Sequence, residues 1–222
     1  MRFLGVPSRG KARLLIRNGY VRVNGKIIKD FAYDVKLADK VEVIGEFLID
    51  KPSGYYKLKE LDEKLRIFSG DEVVLDVGSS AGGFLLYASE HASRVYGVEI
   101  SEEFIPTLKR IEKMRSNVVV TKANVFERSP FVFTKGERVD VLLIDLSLNI
   151  FGVLKALEKC LKVLKENGKV LVCFKLMGMN AEAVRQIVEK FLNSLGLEVK
   201  KWVLLEKHEI FAYCRKLTHP ES

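Results

Sequence analysis

The sequence contains few cysteines and no long apolar run, and each shortage argues against a class of protein. Its 222 residues include only Cys160, Cys173 and Cys214, without a CxxC pair or a histidine at metal-ligand spacing. Neither a disulfide framework nor a zinc site is therefore expected, and a reducing cytoplasm is the predicted location. No apolar stretch approaches the roughly 18 residues that a membrane-spanning helix needs, and the apolar start is too short for a signal peptide. We expect neither a membrane nor a metal as a partner.

Acidic residues are missing from the N-terminal end of a chain whose net charge is +8. Residues 1–29 contain eight Lys and Arg and no Asp or Glu, whereas residues 30–222 contain 29 charges of each sign. This asymmetry favours a small polyanion-binding appendage on an electrically balanced body. The sequence therefore predicts two domains, residues 1–46 and residues 47–222.

The basic segment predicts a short helix followed by a hairpin. In SRGKARLLIRNG, Ser8 is a helix N-cap and Gly19 a helix stop. YVRVNGKII predicts a hairpin that turns at Asn24-Gly25, and VEVI at 41–44 predicts another strand.

Three arginines share one face of the predicted helix. Arg9, Arg13 and Arg17 recur at i, i+4 spacing, where like charges repel by a few tenths of a kcal/mol per pair. A phosphate backbone would convert this repulsion into attraction. The alternatives are a solvated helix without a ligand and a helix lying on a membrane. The lack of acid over 29 residues disfavours the first, and the short length of the helix disfavours the second.

The segment SRGKARLLIRNGYVRVNGKIIKD, followed by VEVIG, resembles the S-four RNA-binding domain over roughly residues 7–45. The resemblance implies RNA as a partner. The helix that usually precedes this motif is replaced here by MRFLGVP, so we expect the small module to depend on docking to the body. The basic residues expected to bind RNA are Arg9, Lys11, Arg13, Arg17, Arg22 and Lys26.

The rest of the sequence alternates apolar strand-like runs with amphipathic helical stretches, which predicts a mostly parallel α/β sheet covered on both faces. A helix is expected in YYKLKELDEKLRIF, and the final two strands, which no helix separates, are expected to pair antiparallel at one edge. The predicted strands are 72–76, 94–99, 117–121, 139–145, 169–175, 197–205 and 209–214, and the other predicted helices lie near 82–91, 102–115, 149–165 and 180–195.

Four of the predicted strands end in a charged residue: Asp76, Glu99, Asp145 and Lys175. Ligands of open α/β sheets bind beyond the carboxyl ends of the strands. These four side chains are therefore expected to converge on one crevice.

The loop DVGSSAGGF, which follows the first of these strands, lacks the GxGxxG spacing of a dinucleotide site. Asp76 and Asp145 suit a positively charged ligand tail, and Glu99 is placed to accept hydrogen bonds from a ribose diol. S-adenosylmethionine has both parts. The alternative is a tight structural turn without a ligand.

The same loop resembles the cofactor loop of class I methyltransferases, especially the FtsJ/RrmJ-type ribose 2′-O-methyltransferases. The resemblance spans about residues 53–215, and the family's Lys-Asp-Lys-Glu tetrad falls on Lys57, Asp145, Lys175 and Glu209. An S-four module joined to this body is the architecture of the TlyA (haemolysin A-like) group. The implied fold is a Rossmann-like, mostly parallel seven-stranded sheet with a small N-terminal α+β domain.

This resemblance implies an S-adenosylmethionine-dependent RNA methyltransferase that modifies ribose 2′-hydroxyls of rRNA. Lys59 competes with Lys57 for the first tetrad position. The expected cofactor-binding residues are Asp76, Gly78, Ser80, Gly82, Gly83, Phe84, Glu99, Ile100, Asn124, Val125 and Asp145.

Lys175 is the candidate general base. An unperturbed lysine is neutral about once in 2,500 at pH 7, a penalty of roughly 4.6 kcal/mol. Burial and Lys57 would lower the pKa of Lys175, whereas Asp145 and Glu209 would raise it, and the sequence leaves this balance open. The rival functions are a non-catalytic ribosome-assembly factor that binds RNA and an RNA base methyltransferase.

Overall fold

The computed structural model describes residues 9–44, 51–206 and 208–218. The predicted N-cap Ser8, the side chain of Lys11 and the predicted domain boundary at 46–47 lie outside the described residues.

The N-terminal module consists of one helix and a small antiparallel sheet. Helix α1 (Arg9–Arg17) is followed by strands β1 (Val21–Val23), β2 (Lys26–Ile27) and β3 (Val41–Val43), in the order β2-β1-β3. Leu15, on α1, is completely buried against the body. The predicted helix and strands are therefore confirmed.

The β1–β2 hairpin turns at the expected dipeptide. Arg22 pairs with Ile27 and Val23 with Lys26, which leaves Asn24 and Gly25 as the two-residue loop. Both loop residues have positive φ, 50° and 80°, the conformation that a type I′ turn requires and that Asn and Gly tolerate best.

The body contains one seven-stranded sheet in the order β6-β5-β4-β7-β8-β10-β9. Its first five strands are parallel, and β10 runs antiparallel to both β8 and β9. The predicted sheet and its antiparallel edge pair are confirmed. The elements are α2 (Ser53–Leu65), β4 (Val73–Val77), α3 (Gly83–His91), β5 (Arg94–Glu99), α4 (Ile105–Met114), β6 (Val118–Lys122), α5 (Pro130–Phe133), β7 (Val139–Ile144), α6 (Ile150–Cys160), β8 (Leu164–Lys175), α7 (Ala181–Ser194), β9 (Leu197–Glu206) and β10 (Glu209–Lys216).

Apolar side chains form a core on each face of this sheet. Helices α2, α3 and α4 and the N-terminal module pack on one face, and α5, α6 and α7 pack on the other. None of the helices within residues 9–44, 51–206 and 208–218 combines the length and apolar composition that crossing a membrane requires.

Three details of the body differ from the sequence prediction. The helix expected over 149–165 ends at Cys160, because a short 3-10 turn at Leu161–Val163 leads directly into β8. Strand β8 begins five residues before its predicted start, since Leu164 pairs with Val139 and a register shift accommodates the residues before Lys169. The four-residue helix α5 was not predicted, because four residues are too few to display a helical period.

The N-terminal module docks on α2 through polar and aromatic contacts. The Arg17 guanidinium lies 2.7 Å from a Glu60 carboxylate oxygen and donates to the Leu205 carbonyl at 3.0 Å. The Tyr20 ring packs edge-on against Tyr56, with 5.8 Å between centroids. The expected docking of the module is thus present in the structure.

Candidate active site

Four side chains from four elements form a closed lysine–carboxylate quartet. Lys57 Nζ lies 3.3 Å from Asp145 Oδ2 and 2.7 Å from Glu209 Oε2. Lys175 Nζ lies 3.0 Å from Asp145 Oδ1 and donates a short hydrogen bond to Glu209 Oε1. Each ammonium therefore contacts both carboxylates, and each carboxylate contacts both ammonium groups.

The sheet topology explains how distant parts of the chain assemble this quartet. Asp145 follows the last residue of β7, and Lys175 ends the neighbouring strand β8. Glu209 begins β10, which runs antiparallel to β8, and its Cα pairs directly with that of Lys175. Two parallel carboxyl ends and one antiparallel amino end thus meet at the same edge of the sheet.

Helix α2 supplies Lys57, and its apolar face fixes where that lysine lies. Tyr56, Leu58 and Leu61 are completely buried, and full burial of a large apolar side chain contributes about 1.5–3 kcal/mol. The helix also approaches the start of α3 closely. A Cβ added at Gly83 would lie 2.5 Å from the Tyr55 nitrogen, so only glycine permits this contact.

Lys59, the competitor for the first tetrad position, points elsewhere. Its ammonium donates a short hydrogen bond to the Tyr20 hydroxyl and lies 4.6 Å from the centroid of that ring. It also lies 3.9 Å from Glu63, one turn later on α2. The geometry therefore selects Lys57 as the quartet member and gives Lys59 a docking contact.

Charge pairing dominates the ionisation of the quartet. Burial by itself would lower the pKa of both lysines, but Asp145 and Glu209 outweigh it and raise the pKa of Lys57 and that of Lys175 above their ordinary values. Burial would likewise raise the pKa of Asp145, yet the two ammonium groups lower it. The resting site therefore contains a charged Asp145 between two protonated lysines at neutral pH.

A cavity of about 450 Å³ lies beside the quartet, beyond the ends of β4, β5 and β7. Its lining is mostly apolar and includes the carboxylates of Glu99 and Asp145. Seven predicted cofactor-binding residues line it: Gly78, Ser80, Glu99, Ile100, Asn124, Val125 and Asp145.

Glu99 is fixed in the wall of this larger cavity by backbone donors. Its carboxylate accepts from the backbone nitrogens of Ser80 at 2.7 Å, Ile100 at 2.9 Å and Ser101 at 2.8 Å. Each carboxylate oxygen can accept more than one hydrogen bond, so Glu99 can still bind a hydroxyl group.

Asn124 also lines the larger cavity, but its amide is engaged in a turn. Its oxygen accepts from the Phe126 backbone nitrogen at 3.0 Å, and its nitrogen donates to Glu127 at 2.9 Å. A contact between this side chain and a ligand would require it to exchange one of these partners.

A smaller cavity of about 330 Å³ connects the glycine-rich loop to the quartet. The predicted residues Gly83 and Phe84 line it together with Lys57 and Lys175, whereas Gly78, Ser80 and Asp145 line both cavities. The two cavities therefore adjoin and together form a crevice, with Lys57 and Lys175 of the quartet in the smaller cavity and Glu99 in the larger one.

Two predicted cofactor residues, Asp76 and Gly82, line neither cavity. Gly82 has φ of 82° at the start of α3, and an added Cβ would lie 2.4 Å from Ile111. Its role in the structure is to permit a left-handed turn and close packing against α4.

Asp76 is 1% exposed, in β4, two residues before Gly78. Within the described residues neither of its carboxylate oxygens has a hydrogen-bond partner. Burial raises the pKa of Asp76 to about 7. The nearby Ser79 hydroxyl, which donates to the Asp76 backbone carbonyl at 3.3 Å, lowers this pKa in part, and the negative charges of Asp145 and Glu99 raise it further. An orphaned buried carboxylate of this kind is costly and suits a cationic ligand group.

Several lining residues were not predicted. Ser53 and Gly54 line the smaller cavity, Phe104 and Phe126 line the larger one, and Ser147 lines both. The sequence gives Ser53 and Gly54 only as part of a break before α2. A signal for Ser147 was available, because it lies two residues after Asp145, just beyond the end of a predicted strand.

The predicted RNA-binding residues divide into two groups. Arg9, Arg13, Arg22 and Lys26 are exposed. The Arg17 guanidinium instead forms an ion pair with Glu60 and donates to the Leu205 carbonyl. These two contacts give Arg17 a docking role, and the phosphate contact expected for it stays a prediction.

Within the described part of the chain, no group of three or more His, Cys, Asp and Glu is arranged to hold a metal ion. The described cysteines are free and buried.

Comparisons with known protein families match both parts of the chain. The model of the FtsJ-like methyltransferase family matches residues 52–217, and that of the S4 domain matches residues 2–41.

Two similar proteins match different shares of the chain. The ribosomal RNA large subunit methyltransferase E of Wigglesworthia glossinidia brevipalpis is 27% identical over 154 residues, 63% of this chain and 71% of that protein. A protein of Aquifex aeolicus, named an uncharacterized RNA pseudouridine synthase, is 39% identical over 70 residues, which cover 28% of this chain. The chain spans only 29% of the length of that second relative.

Solved structures show the same fold. A Streptococcus thermophilus protein named a putative hemolysin superimposes with a TM-score of 0.62 at 21% identity, over 96% of this chain and 84% of that one. Fibrillarin of Aeropyrum pernix, solved with natively bound S-adenosyl-L-methionine, gives a TM-score of 0.60 at 22% identity, over 72% of this chain and 75% of that one.

Proposed function

The chain belongs to the FtsJ-like methyltransferase family, and from this premise we propose that it transfers a methyl group from S-adenosylmethionine to a ribose 2′-hydroxyl of rRNA. The observation that carries the proposal is the quartet. Two ammonium groups and two carboxylates alternate within hydrogen-bond distance, in a crevice that the glycine-rich loop also lines.

The residues that line the crevice suit the charge distribution of S-adenosylmethionine. The cofactor supplies an electrophilic methyl group on a positively charged sulfur when it is bound. Glu99, fixed by three backbone donors, would hold the ribose hydroxyls, and Ile100 and Val125 would flank the adenine. The buried carboxylate of Asp76, two residues before Gly78 in β4, would complement the positive charge of the cofactor's ammonium group.

Gly78 lies close to Asp145 and Leu146, and its lack of a side chain leaves space in the crevice. Gly78 has φ of 86°, and an added Cβ would lie 2.7 Å from the Leu146 side chain and 2.8 Å from the Asp145 carbonyl oxygen. A side chain at position 78 would therefore disturb the wall that both cavities share. This position requires glycine for space as well as for backbone conformation.

The quartet is suited to holding and polarising a hydroxyl group. The ammonium groups of Lys57 and Lys175 can donate to the 2′-oxygen, while Asp145 and Glu209 keep both ammonium groups in place. Orienting the nucleophile for in-line attack is the main catalytic contribution that such a site can make.

The raised pKa of Lys175 supports a role as a hydrogen-bond donor rather than the role of general base expected from the sequence. A protonated lysine cannot accept the 2′-proton, so Lys175 acts as a hydrogen-bond donor that stabilises the oxygen during transfer. Bound S-adenosylmethionine would supply the methyl group to the 2′-oxygen with its sulfur as the leaving group, while the quartet would orient that oxygen and one of its carboxylates would take up the hydroxyl proton.

Chemistry at a cytosine base is disfavoured, because it needs a nucleophilic thiolate. Cys173 lies inside β8, completely buried, and burial raises the pKa of its thiol. A buried thiol of this kind is inert. A role as a non-catalytic assembly factor is disfavoured because all four quartet members are in place.

The domain assignment and the location are part of the same proposal. We assign residues 1–46 to RNA binding and residues 47–222 to methyl transfer. An rRNA substrate and free cysteines are in keeping with action in the cytoplasm.

The reaction is tested by incubating the protein and labelled S-adenosylmethionine with deproteinised rRNA and with isolated ribosomal subunits. We expect label in rRNA within linkages that resist alkaline hydrolysis, because a 2′-O-methyl group prevents cleavage at its own nucleotide. Label on a base, or none in either preparation, would overturn the proposal.

Arg17→Ala separates docking of the module from RNA contact. The substitution removes an ion pair and a backbone contact, so we expect kcat/KM for rRNA to fall about five- to tenfold through misplacement of the module. Affinity for S-adenosylmethionine should not change. Because both of these contacts of the Arg17 guanidinium are within the protein, the salt dependence of RNA affinity should keep its slope.

Arg9→Ala is the matched control for this prediction. Arg9 lies on the same helix and is exposed, so its loss should reduce the salt slope by about 0.7, the value of one phosphate contact on single-stranded RNA. Equal salt slopes for the two variants would count against the docking role of Arg17.

A further inference from the structure

The N-terminal module exposes two aromatic rings on the connection between β2 and β3. Phe31 is 64% exposed and Tyr33 is 45% exposed. Aromatic side chains bury most of their surface in ordinary folds, so two rings left in solvent within three residues call for a ligand.

A basic side chain accompanies the first ring. The Arg13 guanidinium lies 5.4 Å from the centroid of the Phe31 ring, within the range of a cation–π contact. The basic face of α1 and the aromatic connection therefore form one surface rather than two separate ones.

The connection that carries the rings is held in place by its own acidic residues. The Asp30 carboxylate accepts from the Ala32 backbone nitrogen at 2.8 Å. The Asp39 carboxylate accepts from the Lys36 backbone nitrogen at 2.9 Å and from the Asn24 side chain at 2.8 Å. The rings are thus presented on an ordered segment, which reduces the entropy lost on binding.

The charge around this surface favours a polyanion. Residues 9–44 contain nine Lys and Arg against four Asp and Glu, and two of those acids, Asp30 and Asp39, are engaged by the hydrogen bonds within the connection. Aromatic faces within a basic surface are the arrangement that binds single-stranded nucleic acid, through stacking on bases and contact with phosphates.

We propose that Phe31 and Tyr33 form a stacking site for unpaired bases of RNA, with Arg13 beside it to contact the adjoining phosphate. This inference rests on the proposed function, and it deepens it by naming single-stranded RNA as what the module binds. Paired bases would not serve, because their faces are covered by neighbouring bases within the helix.

The test measures binding of the full-length protein to a short unstructured RNA by fluorescence anisotropy, at several salt concentrations. Stacking on one ring contributes about 1–3 kcal/mol, so Phe31→Ala and Tyr33→Ala should each weaken binding about 5- to 100-fold. The salt slope should stay unchanged in both. Arg13→Ala should lower the slope by about 0.7.

Leu37→Ala is the matched control. Leu37 is a fully exposed apolar residue on the same connection, but it has no ring to stack, so its loss should leave RNA affinity unchanged. Circular dichroism and thermal unfolding establish that all variants fold alike. Binding to a duplex RNA of the same sequence should be affected less than twofold by either aromatic substitution.

The possible failures are distinguishable. Wild-type protein that binds no RNA would defeat the proposed function itself. If the two aromatic variants and Leu37→Ala all bound RNA as tightly as the wild type, the stacking site alone would be overturned. A concentration-dependent dimer in sedimentation that the aromatic substitutions abolish would assign the rings to a second copy of the chain and overturn it as well.

Discussion

Lys175→Ala is expected to abolish methyl transfer while it leaves cofactor binding intact. Lys175 contacts both carboxylates of the quartet and lines the smaller cavity, so its ammonium is placed to stabilise the attacking oxygen. Loss of one preorganised donor of this type costs about 10²–10³ in kcat. We expect a decrease of about 10³-fold, measured with labelled S-adenosylmethionine and rRNA, and a change of less than twofold in the Kd for S-adenosylmethionine.

The pH profile tests the role assigned to this lysine. Its pKa is raised by Asp145 and Glu209, so Lys175 stays protonated between pH 7 and 9. The wild-type kcat should therefore show no rise with unit slope over that range. Such a rise, if it disappeared in Lys175→Ala, would identify Lys175 as a free base and contradict our mechanism.

Lys165→Ala is the matched control for that substitution. Lys165 is also on β8 and forms an ion pair with Asp140 at 2.8 Å, but it lies at the other end of the strand. Its loss should leave kcat within twofold of wild type. Activity of Lys175→Ala within a few-fold of that of Lys165→Ala would refute the catalytic assignment.

Much of the site can be predicted from the charged residues that end the predicted strands. Asp76, Glu99, Asp145 and Lys175 end apolar runs, and parallel strands place their carboxyl ends together. Glu209 could not be placed by this argument, because it begins its strand. Its position follows from the antiparallel pairing of β10 with β8, a long-range contact that local periodicity does not contain.

The choice between Lys57 and Lys59 shows a second limit of sequence reasoning. Both lysines lie on α2, two residues apart, which separates their directions by about 200° on a helix. Which one faces the quartet depends on how Tyr56, Leu58 and Leu61 bury the helix. The sequence gives an apolar face, but not the angle at which that face meets the sheet.

Arg17 illustrates a third limit. Its i, i+4 spacing from Arg13 and Arg9 places it on the basic face of α1. The last turn of α1 meets the body, where Glu60 and the Leu205 carbonyl offer partners. Helical periodicity describes one element alone and does not indicate where another element will cover its end.

Asp76→Asn is expected to stabilise the protein without its cofactor and to weaken cofactor binding. Wild-type Asp76 is buried with no hydrogen-bond partner for its carboxylate among the described residues. Removing the charge relieves that penalty, so we expect the Tm of the cofactor-free protein to rise by about 3–8 °C at pH 8. The same change removes the negative charge proposed to complement the cofactor's ammonium group, and an opposite charge within a few ångströms contributes about 1–4 kcal/mol, so the Kd should rise about 10- to 100-fold.

The sign of the pH dependence follows from the raised pKa. Burial raises the pKa of Asp76 to about 7, whereas an unfolded Asp has a pKa of about 3.9. Between these values the folded state binds more protons, so stability of the wild type falls as pH rises from about 4 to 7. The Tm advantage of Asp76→Asn should therefore be small at pH 5 and full above pH 7, and wild-type affinity for S-adenosylmethionine should weaken as pH falls below 7.

Thermal unfolding and calorimetric titration with S-adenosylmethionine measure both effects, and Asp140→Asn provides the control. Asp140 is paired with Lys165 near the opposite end of the sheet, so its loss should lower Tm slightly and leave the Kd unchanged. Replacing a buried carboxylate that has no hydrogen-bond partner should raise the free energy of unfolding. Its presence at position 76 therefore indicates a role other than stability. If Asp76→Asn gains stability while it keeps wild-type affinity, the carboxylate has no part in holding the cofactor, and the charge complementarity proposed for the crevice is wrong.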